Sequence, residues 1–341
     1  MGWTAPNYPK AQVDWAGSRI TSGPHSLADF EKALGIVNNW RSAHSFPLNT
    51  FQVGLRGRAK TVDKECLVAQ RIKRLSSIIS KLKRFSTMKL SQMQDVGGCR
   101  AVVSDCAKAY AVHRAYKKSR LKHRLVREDD YIATPKASGY RSIHLVYRYF
   151  SDHKTTYNNL QVELQLRSQL QHSWATAVET VGTFLEQSLK ASQGTPAWLR
   201  FFSLMGSVMA IREKTPSVPG TPTSLGELVK NLRRLDTELD VRAKLKAYGQ
   251  AINQIEQDVG DARYYLLDLS PSKETVTITG FGARELEEAT STYLEVEKAL
   301  SGPGSEAVLV SVDSLSSLRA AYPNYFLDTN YFLKIVTETL S

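Results

Sequence analysis

The chain of 341 residues carries 45 Lys+Arg against 33 Asp+Glu, a formal net charge of +12, with 42% hydrophobic and 23% charged residues. That balance excludes a disordered tail, a collagen-like repeat and a disulfide scaffold, and the length allows two or three domains with cores of their own. No run approaches the ~18 apolar residues needed to cross a bilayer, and the opening MGWTAPNYPKAQVDWAG has no basic stretch followed by an apolar one. Cys66, Cys99 and Cys106 stand at no metal spacing, so the expectation is a cytoplasmic protein with reduced thiols and no membrane partner.

Charge is unevenly placed. Residues 51–150 hold 23 Lys+Arg and 7 Asp+Glu, whereas residues 251–341 hold 6 and 14. A concentrated positive field suits a polyanion such as nucleotide phosphates or nucleic acid, and solvated helix faces are the ordinary alternative. The acidic last quarter suggests intramolecular docking of one half on the other.

In chain order, residues 1–25 read as an N-terminal extension, and Ser26 opens a helix over 26–44. Residues 62–84 are predicted as one long helix with Val68, Ile72, Leu75, Ile79 and Leu82 as its buried stripe. Lys73 and Arg84 then fall on the solvated side, with Arg71 at the stripe's edge. A strand is predicted at Cys99–Ser104, a helix at 105–118 and a strand at 122–127, followed by a loop containing Asp129, Asp130, Pro135 and Gly139. Strands at 141–149 and 160–167 and helices at 168–191 and 196–214 complete a domain over 26–214. Residues 215–224 (TPSVPGTPTS) read as a linker. Beyond it, a charged helix over 225–258, a hairpin at Tyr264–Leu269 and Thr275–Thr279, a helix at 283–300 and a strand at Ala307–Val312 make 225–341 a second, small domain. The fold class is α/β (α+β): a mixed sheet flanked by helices, a helical connector and a small α/β domain.

Alternation marks where chemistry lies. In 160–167 the apolar residues share one face and leave Gln161, Glu163, Gln165 and Arg167 on the other, while Ser142 and His144 share the polar face of the preceding strand. Two such faces either floor a cleft or form the wet side of a half-covered sheet. The loop from Tyr131 to His144 adds Lys136, Gly139, Tyr140 and Arg141, cations for phosphate and an aromatic for stacking. No GxxxxGK[ST] or HExxH pattern occurs. Asp95 and Glu163 together offer two hard oxygen ligands suited to Mg²⁺ bound with phosphates. Alone, Asp95 reads more often as a turn or cap residue.

Arg58-Ala-Lys60, Asp95-x-x-Gly98-x-Arg100, Tyr131-Ile-x-x-Pro-Lys-x-x-Gly-Tyr-Arg-Ser-Ile-His144 and Val162-Glu-Leu-Gln-Leu-Arg167 follow one another in an order that resembles the synthetase domain of the RelA/SpoT family. The resemblance covers roughly residues 40–190 and implies a nucleotidyltransferase-like fold and transfer of pyrophosphate from ATP to a 3′-hydroxyl. It implies that Arg58 and Arg100 sandwich adenine, that Lys60 and Arg71 bind the ATP phosphates, and that Asp95 and Glu163 hold Mg²⁺, Glu163 also accepting the hydroxyl proton. Tyr140 would stack on the acceptor base, with Lys136, Arg141, His144 and Gln165 completing the contacts. Many members carry a second lysine ten residues after the first arginine; counted from Arg58, that position is Val68. No His-Asp dipeptide is present, so the hydrolase half of the long bifunctional members has no counterpart here.

Two acceptors fit: GDP or GTP, giving (p)ppGpp, or the tRNA 3′ end, as in toxic small synthetases. CapRel-type members of the latter carry a C-terminal antitoxin domain relieved by a phage protein. The acidic C-terminal segment, its lack of cysteine and Tyr322-Pro-Asn-Tyr325, similar to the plug of that domain, favour the second. For that tyrosine pair, aromatic core packing is the plain alternative. The basic run Arg114–Arg127 reads as an RNA track or as a solvated surface. A catalytically dead binding module is the remaining class.

Overall fold

The computed structural model describes residues 3–22, 26–185, 195–250, 253–260, 262–270, 273–300, 305–312, 314–326 and 328–341. Its frame is one mixed sheet of nine strands in the order β3-β4-β5-β2-β1-β9-β7-β8-β6. The strands are β1 Leu67–Ile72, β2 Gly97–Val103, β3 Arg124–Asp130, β4 Ile143–Arg148, β5 Gln161–Ser168, β6 Asn253–Gln257, β7 Tyr264–Ser270, β8 Thr275–Phe281 and β9 Glu306–Ser311. β2 and β5 run parallel, β6 and β8 run parallel, and the other pairs are antiparallel.

On one face lie α1 Lys10–Ser22, α2 Leu27–Ala43, α3 Ser45–Val62, α4 Leu75–Arg84 and α5 Cys106–Lys118, closing a core with Leu48, Phe51, Leu55, Cys99, Val112, Leu145, Tyr147 and Leu164. Ser26 caps α2 by accepting from Asp29 N at 3.2 Å, and Asp105 caps α5 by accepting from Lys108 N at 2.8 Å. Five further helices, α6 Gln169–Phe184, α7 Pro196–Glu213, α8 Leu225–Leu239, α9 Val241–Gln250 and α12 Asn330–Leu340, share a second core. α10 Leu286–Ala299 packs on β7 and β9, and α11 Leu315–Ala321 packs on β1.

Two predicted helices are corrected. Residues 62–84 form the end of α3, then β1, then α4. The Asp63 side chain accepts from Ser104 N at 2.8 Å, and β1 then pairs with β2 from Leu67–Val102 to Ile72–Gly97. Pairing against a neighbouring strand overrides a pattern that also fitted a helix. Residues 225–258 break at Asp240, which adopts a left-handed φ of 53°, and end as β6. The helix over 45–62 was not predicted, and the predicted helix over 168–191 runs beyond the described residues after 185.

The segment 215–224 is held down. Arg141 donates to Thr215 Oγ1 and to the Pro216 carbonyl, Val218 is buried, and Ser207 and Thr221 share a hydroxyl bond of 2.6 Å. β9 joins β1 directly, at Gln70–Ser311 and Arg71–Val310, and α12 buries Phe332, Ile335 and Val336 in the α6–α9 core. Residues after 225 therefore complete both the sheet and the helical layer.

Candidate active site

Strand register assembles the site on the face opposite α3 and α5. Arg71 of β1 pairs with Gly98 of β2, and Gly98 with Glu163 of β5. One step along, Ala69, Arg100, Gln165, His144 and Asp129 form a second row across five strands. Residues directly opposite one another project to the same side, so Arg71, Arg100, Glu163, Gln165 and His144 share one surface. Gly98 leaves a notch between Arg71 and Glu163, since a Cβ there would meet only the Glu163 carbonyl oxygen at 3.9 Å.

Glu163 is held by a closed set of hydrogen bonds. His144 Nδ1 lies 2.8 Å from Glu163 Oε1, and Gln165 Nε2 donates to Oε2 at 2.7 Å. An ionised carboxylate only accepts, so His144 donates from Nδ1, and its Nε2 lies 2.8 Å from the Tyr140 hydroxyl oxygen. Arg167 donates to the Tyr140 oxygen at 3.1 Å and to Gln165 Oε1 at 2.7 Å. Burial pushes the Glu163 carboxyl up, but His144 and the Gln165 bond outweigh it and bring it below its ordinary value.

Asp95 stands just before β2, close enough for its charge to act on Glu163. It accepts from Lys73 at 2.9 Å and Lys81 at 2.8 Å. Burial works against its ionised form, and the two ammonium groups hold it well below the usual carboxylate range regardless. Arg100 is brought down to about 10 by burial and by Arg167 and Arg71, so it stays cationic at neutral pH. Lys136 lies 4.1 Å from the Tyr131 ring centroid and feels the Glu163 charge. Its loop is seated by Gly139, φ +96°, where a Cβ would meet the Phe202 carbonyl oxygen at 2.9 Å.

The segment Leu315–Phe326 lies over the Arg100 end. The Arg100 guanidinium sits 5.7 Å from the Tyr322 ring centroid and donates to the Ala321 carbonyl at 3.1 Å. His172 Nε2 donates to the Ala320 carbonyl at 3.1 Å. Tyr322 and Tyr325 are both buried, and their hydroxyls are pushed up by burial, Tyr322 to about 12. Arg71 lies near both rings and near the Glu179 carboxylate.

Of the residues expected at the site, Asp95, Glu163, Arg71, Arg100, Lys136, Tyr140, His144 and Gln165 come together, with Tyr322 and Tyr325 beside them. Three do not join them. Arg58 lies on the other face, its guanidinium 4.8 Å from the Tyr116 ring centroid and donating to Gly54 O; it cannot sandwich a ring with Arg100 through the sheet. Lys60 is exposed on the last turn of the same helix. Arg141 lies before β4 and is buried, its guanidinium donating to Thr215 and to the Pro216 carbonyl instead of the site. Tyr140 is enclosed by Tyr131, His144 and Trp174, with its hydroxyl in the Glu163 network.

Lys73, Lys81 and Arg167 went unassigned from sequence. Their signal was present: Arg167 shares the polar face of β5, and Lys81 stands ten residues after Arg71. Counting from Arg71 instead of Arg58 turns the Val68 anomaly into Lys81, and Val68 itself is a buried strand residue. Asp95 and Glu163, near enough for their charges to act on each other, offer hard oxygen donors that suit Mg²⁺ together with phosphate oxygens; among the described residues no cluster of three His, Cys, Asp or Glu offers a metal site by itself.

Residues 70–183 match the family model described as the region found in RelA / SpoT proteins. The match begins at Gln70, leaving Arg58 and Lys60 outside and Arg71, Lys73 and Lys81 inside. The GTP pyrophosphokinases YwaC and YjbM of Bacillus subtilis (strain 168) are 31% and 32% identical over 111 residues, each match taking 52% of the relative. It covers 31% of this chain for YwaC and 32% for YjbM. The chain thus spans about half the length of these curated relatives. Among solved structures, small alarmone synthetase 1 of B. subtilis bound to its product pppGpp is similar at 24% identity and TM-score 0.43, covering 50% of this chain and 89% of that one. Small alarmone synthetase 2 of B. subtilis is similar at 21% identity and TM-score 0.44, with coverage of 52% and 93%. No helix among the described residues is long and apolar enough to cross a membrane.

Proposed function

We propose that the Arg71–Gly98–Glu163 row is the centre of an ATP-dependent pyrophosphokinase that transfers a pyrophosphoryl group to a nucleotide 3′-hydroxyl. The observation that carries this is the ionised Glu163 in a fixed network, one notch away from Arg71 and near Asp95 with its two lysines. Transfer of this kind depends on alignment and charge neutralisation more than on covalent chemistry. Arg71, Lys73 and Lys81 hold the ATP phosphates, Arg100 faces the adenine, and Glu163 accepts the hydroxyl proton as the 3′-oxygen bonds to the β-phosphorus, whose bond to the α,β-bridging oxygen breaks and releases AMP. Asp95 and Glu163 would hold Mg²⁺, which would supply neutralisation of phosphate charge. For that, the flexible lysines move from the Asp95 carboxylate to the phosphate oxygens, which match it in charge and as acceptors. Intact carboxylates in a satisfied network argue against a dead module.

Regulation follows from the same surface. Tyr322 covers the Arg100 guanidinium that the adenine needs, so the C-terminal segment restrains the enzyme from within, as an antitoxin-like domain would. On this reading the protein is a cytoplasmic, self-restrained toxin that modifies the tRNA 3′ end, with a phage protein as trigger. The second reading, a (p)ppGpp synthetase using GDP or GTP, is favoured by the names of both curated relatives.

The test is incubation with γ-labelled ATP and GDP, GTP or bulk tRNA offered separately, for the intact protein and Tyr322→Ala. Label in tRNA, raised by roughly tenfold or more in the variant, supports the toxin reading. Label in guanine nucleotide selects the alarmone reading, and no label in any acceptor from either protein overturns both. A substitution is preferred to truncation at 215 because α12 and β9 belong to the cores described above.

A further inference from the structure

Helix α4 carries Lys81 and starts without a cap of its own. Its N-cap is Arg74, which makes no side-chain cap bond, and its first turn holds no acidic residue. The missing acceptor comes from the far end of the chain: Glu297 of α10 accepts from Leu75 N at 2.9 Å. The same carboxylate accepts from Arg41 Nη1 at 2.8 Å and Nη2 at 3.0 Å, and from the Tyr293 hydroxyl at 2.7 Å. Arg41, 2% exposed, also donates from Nε to the Lys73 carbonyl at 3.0 Å. The Lys73 amide is bonded to Val96 O at 2.8 Å, next to Asp95. One residue on, Arg74 pairs with Glu306 at the start of β9.

The turn from Lys73 to Leu75 is therefore gripped by two carboxylates of the C-terminal part. A bidentate arginine and a helix cap are stiff, directional contacts. Both ends of the Asp95 bridge, Lys73 at the turn and Lys81 on α4, depend on where that turn is held.

We propose that Glu297, through Arg41 and the Leu75 amide, is a positioning residue for Lys73 and Lys81, so that the C-terminal part builds the phosphate end of the site as well as covering its Arg100 end. The inference rests on the pyrophosphokinase reading, in which those lysines hold ATP phosphates. It makes release a displacement of Leu315–Phe326 with α10 left in place.

The experiment uses the full chain with Tyr322→Ala as parent. Arg41→Met with Glu297→Leu replaces the buried pair by apolar groups, an exchange that commonly preserves folding. The clamp requires the KM for ATP to rise between about tenfold and a hundredfold with kcat nearly unchanged. Amide exchange over Leu75–Leu82 should accelerate while the rest of the sheet keeps its protection. Glu297→Gln retains a carbonyl acceptor for Leu75 and is the second variant, with a smaller rise. A double variant that folds with unchanged KM and unchanged exchange overturns the proposal. Should the parent transfer no label to any acceptor, the pyrophosphokinase reading fails and exchange alone decides the clamp: faster over Leu75–Leu82 supports it, unchanged overturns it.

Discussion

The two faces of β1, β2 and β5 are built from alternate residues of the same short strands, yet they differ in kind. On the α3 side, Val68, Cys99, Val162 and Leu164 are apolar and sealed by helices. On the other side, Arg71, Arg100, Glu163 and Gln165 are polar: Gln165 donates to Glu163, and the guanidinium groups of Arg71 and Arg100 gather positive charge beside them. On the proposed function, the apolar face positions and the polar face acts. A residue's role here follows from the side it projects to more than from its place in a motif. Arg58 shows this: it has the right type and spacing, and stands on the wrong side.

The sharpest way to break the comparison is at Glu163. Glu163→Gln keeps the shape and the Gln165 neighbour but removes the base, and transfer should fall by about a thousandfold. Retained turnover would show that the polar face is only a wet surface. The pH dependence adds a second check. The Glu163 carboxyl lies below its ordinary value, so its ionised form persists through neutrality and is lost only as pH falls through that lowered value. The acid limb of kcat/KM should therefore fall below the usual glutamate value of about 4.3, and His144→Ala should move it upward.

Arg71→Ala comes next in size. The side chain projects to the same surface as the Gly98 notch and Glu163; the KM for ATP should rise by roughly tenfold to a hundredfold on its loss. Measured beside Glu163→Gln, it separates phosphate binding from proton removal along one register row.

Much of this face is legible in the sequence. Alternation from Leu160 to Arg167 and in Ser142–His144 places Glu163, Gln165, Arg167 and His144 on one side without any structure, because a strand's period of two leaves no choice. The residues lost to the reading lie in 62–84. Val68, Ile72, Leu75, Ile79 and Leu82 satisfy a helical stripe, and only the partner strand decides that the first two belong to β1. That one misreading sent Lys73 to solvent. α3 was hidden by Pro47, Gly54 and Gly57, which read as breakers although Pro47 sits in the first turn, where a missing amide is tolerated. Asp240 gave no warning, because aspartate is as ordinary inside a charged helix as at its left-handed end, and tertiary packing selects between the two. The Arg41–Glu297 clamp joins residues at opposite ends of the chain, and no local pattern encodes it.

The smallest expected effect is the most discriminating for the two-face argument. Arg58→Ala removes a guanidinium stacked on Tyr116 and a bond to Gly54 O, which costs about 0.5–1 kcal/mol of stability. Because that contact lies behind the sheet, KM for ATP and kcat should stay within about twofold of the parent, with a slightly lower thermal midpoint as the sole change. The paired measurement is Arg71→Ala under the same conditions. If Arg58→Ala instead raised the KM for ATP as much as Arg71→Ala does, the adenine or phosphates would reach the α3 side. The register rows would then not define the site. If only Arg71→Ala does so, the arginine that binds ATP is the one in the strand, and the sequence motif is counted from there.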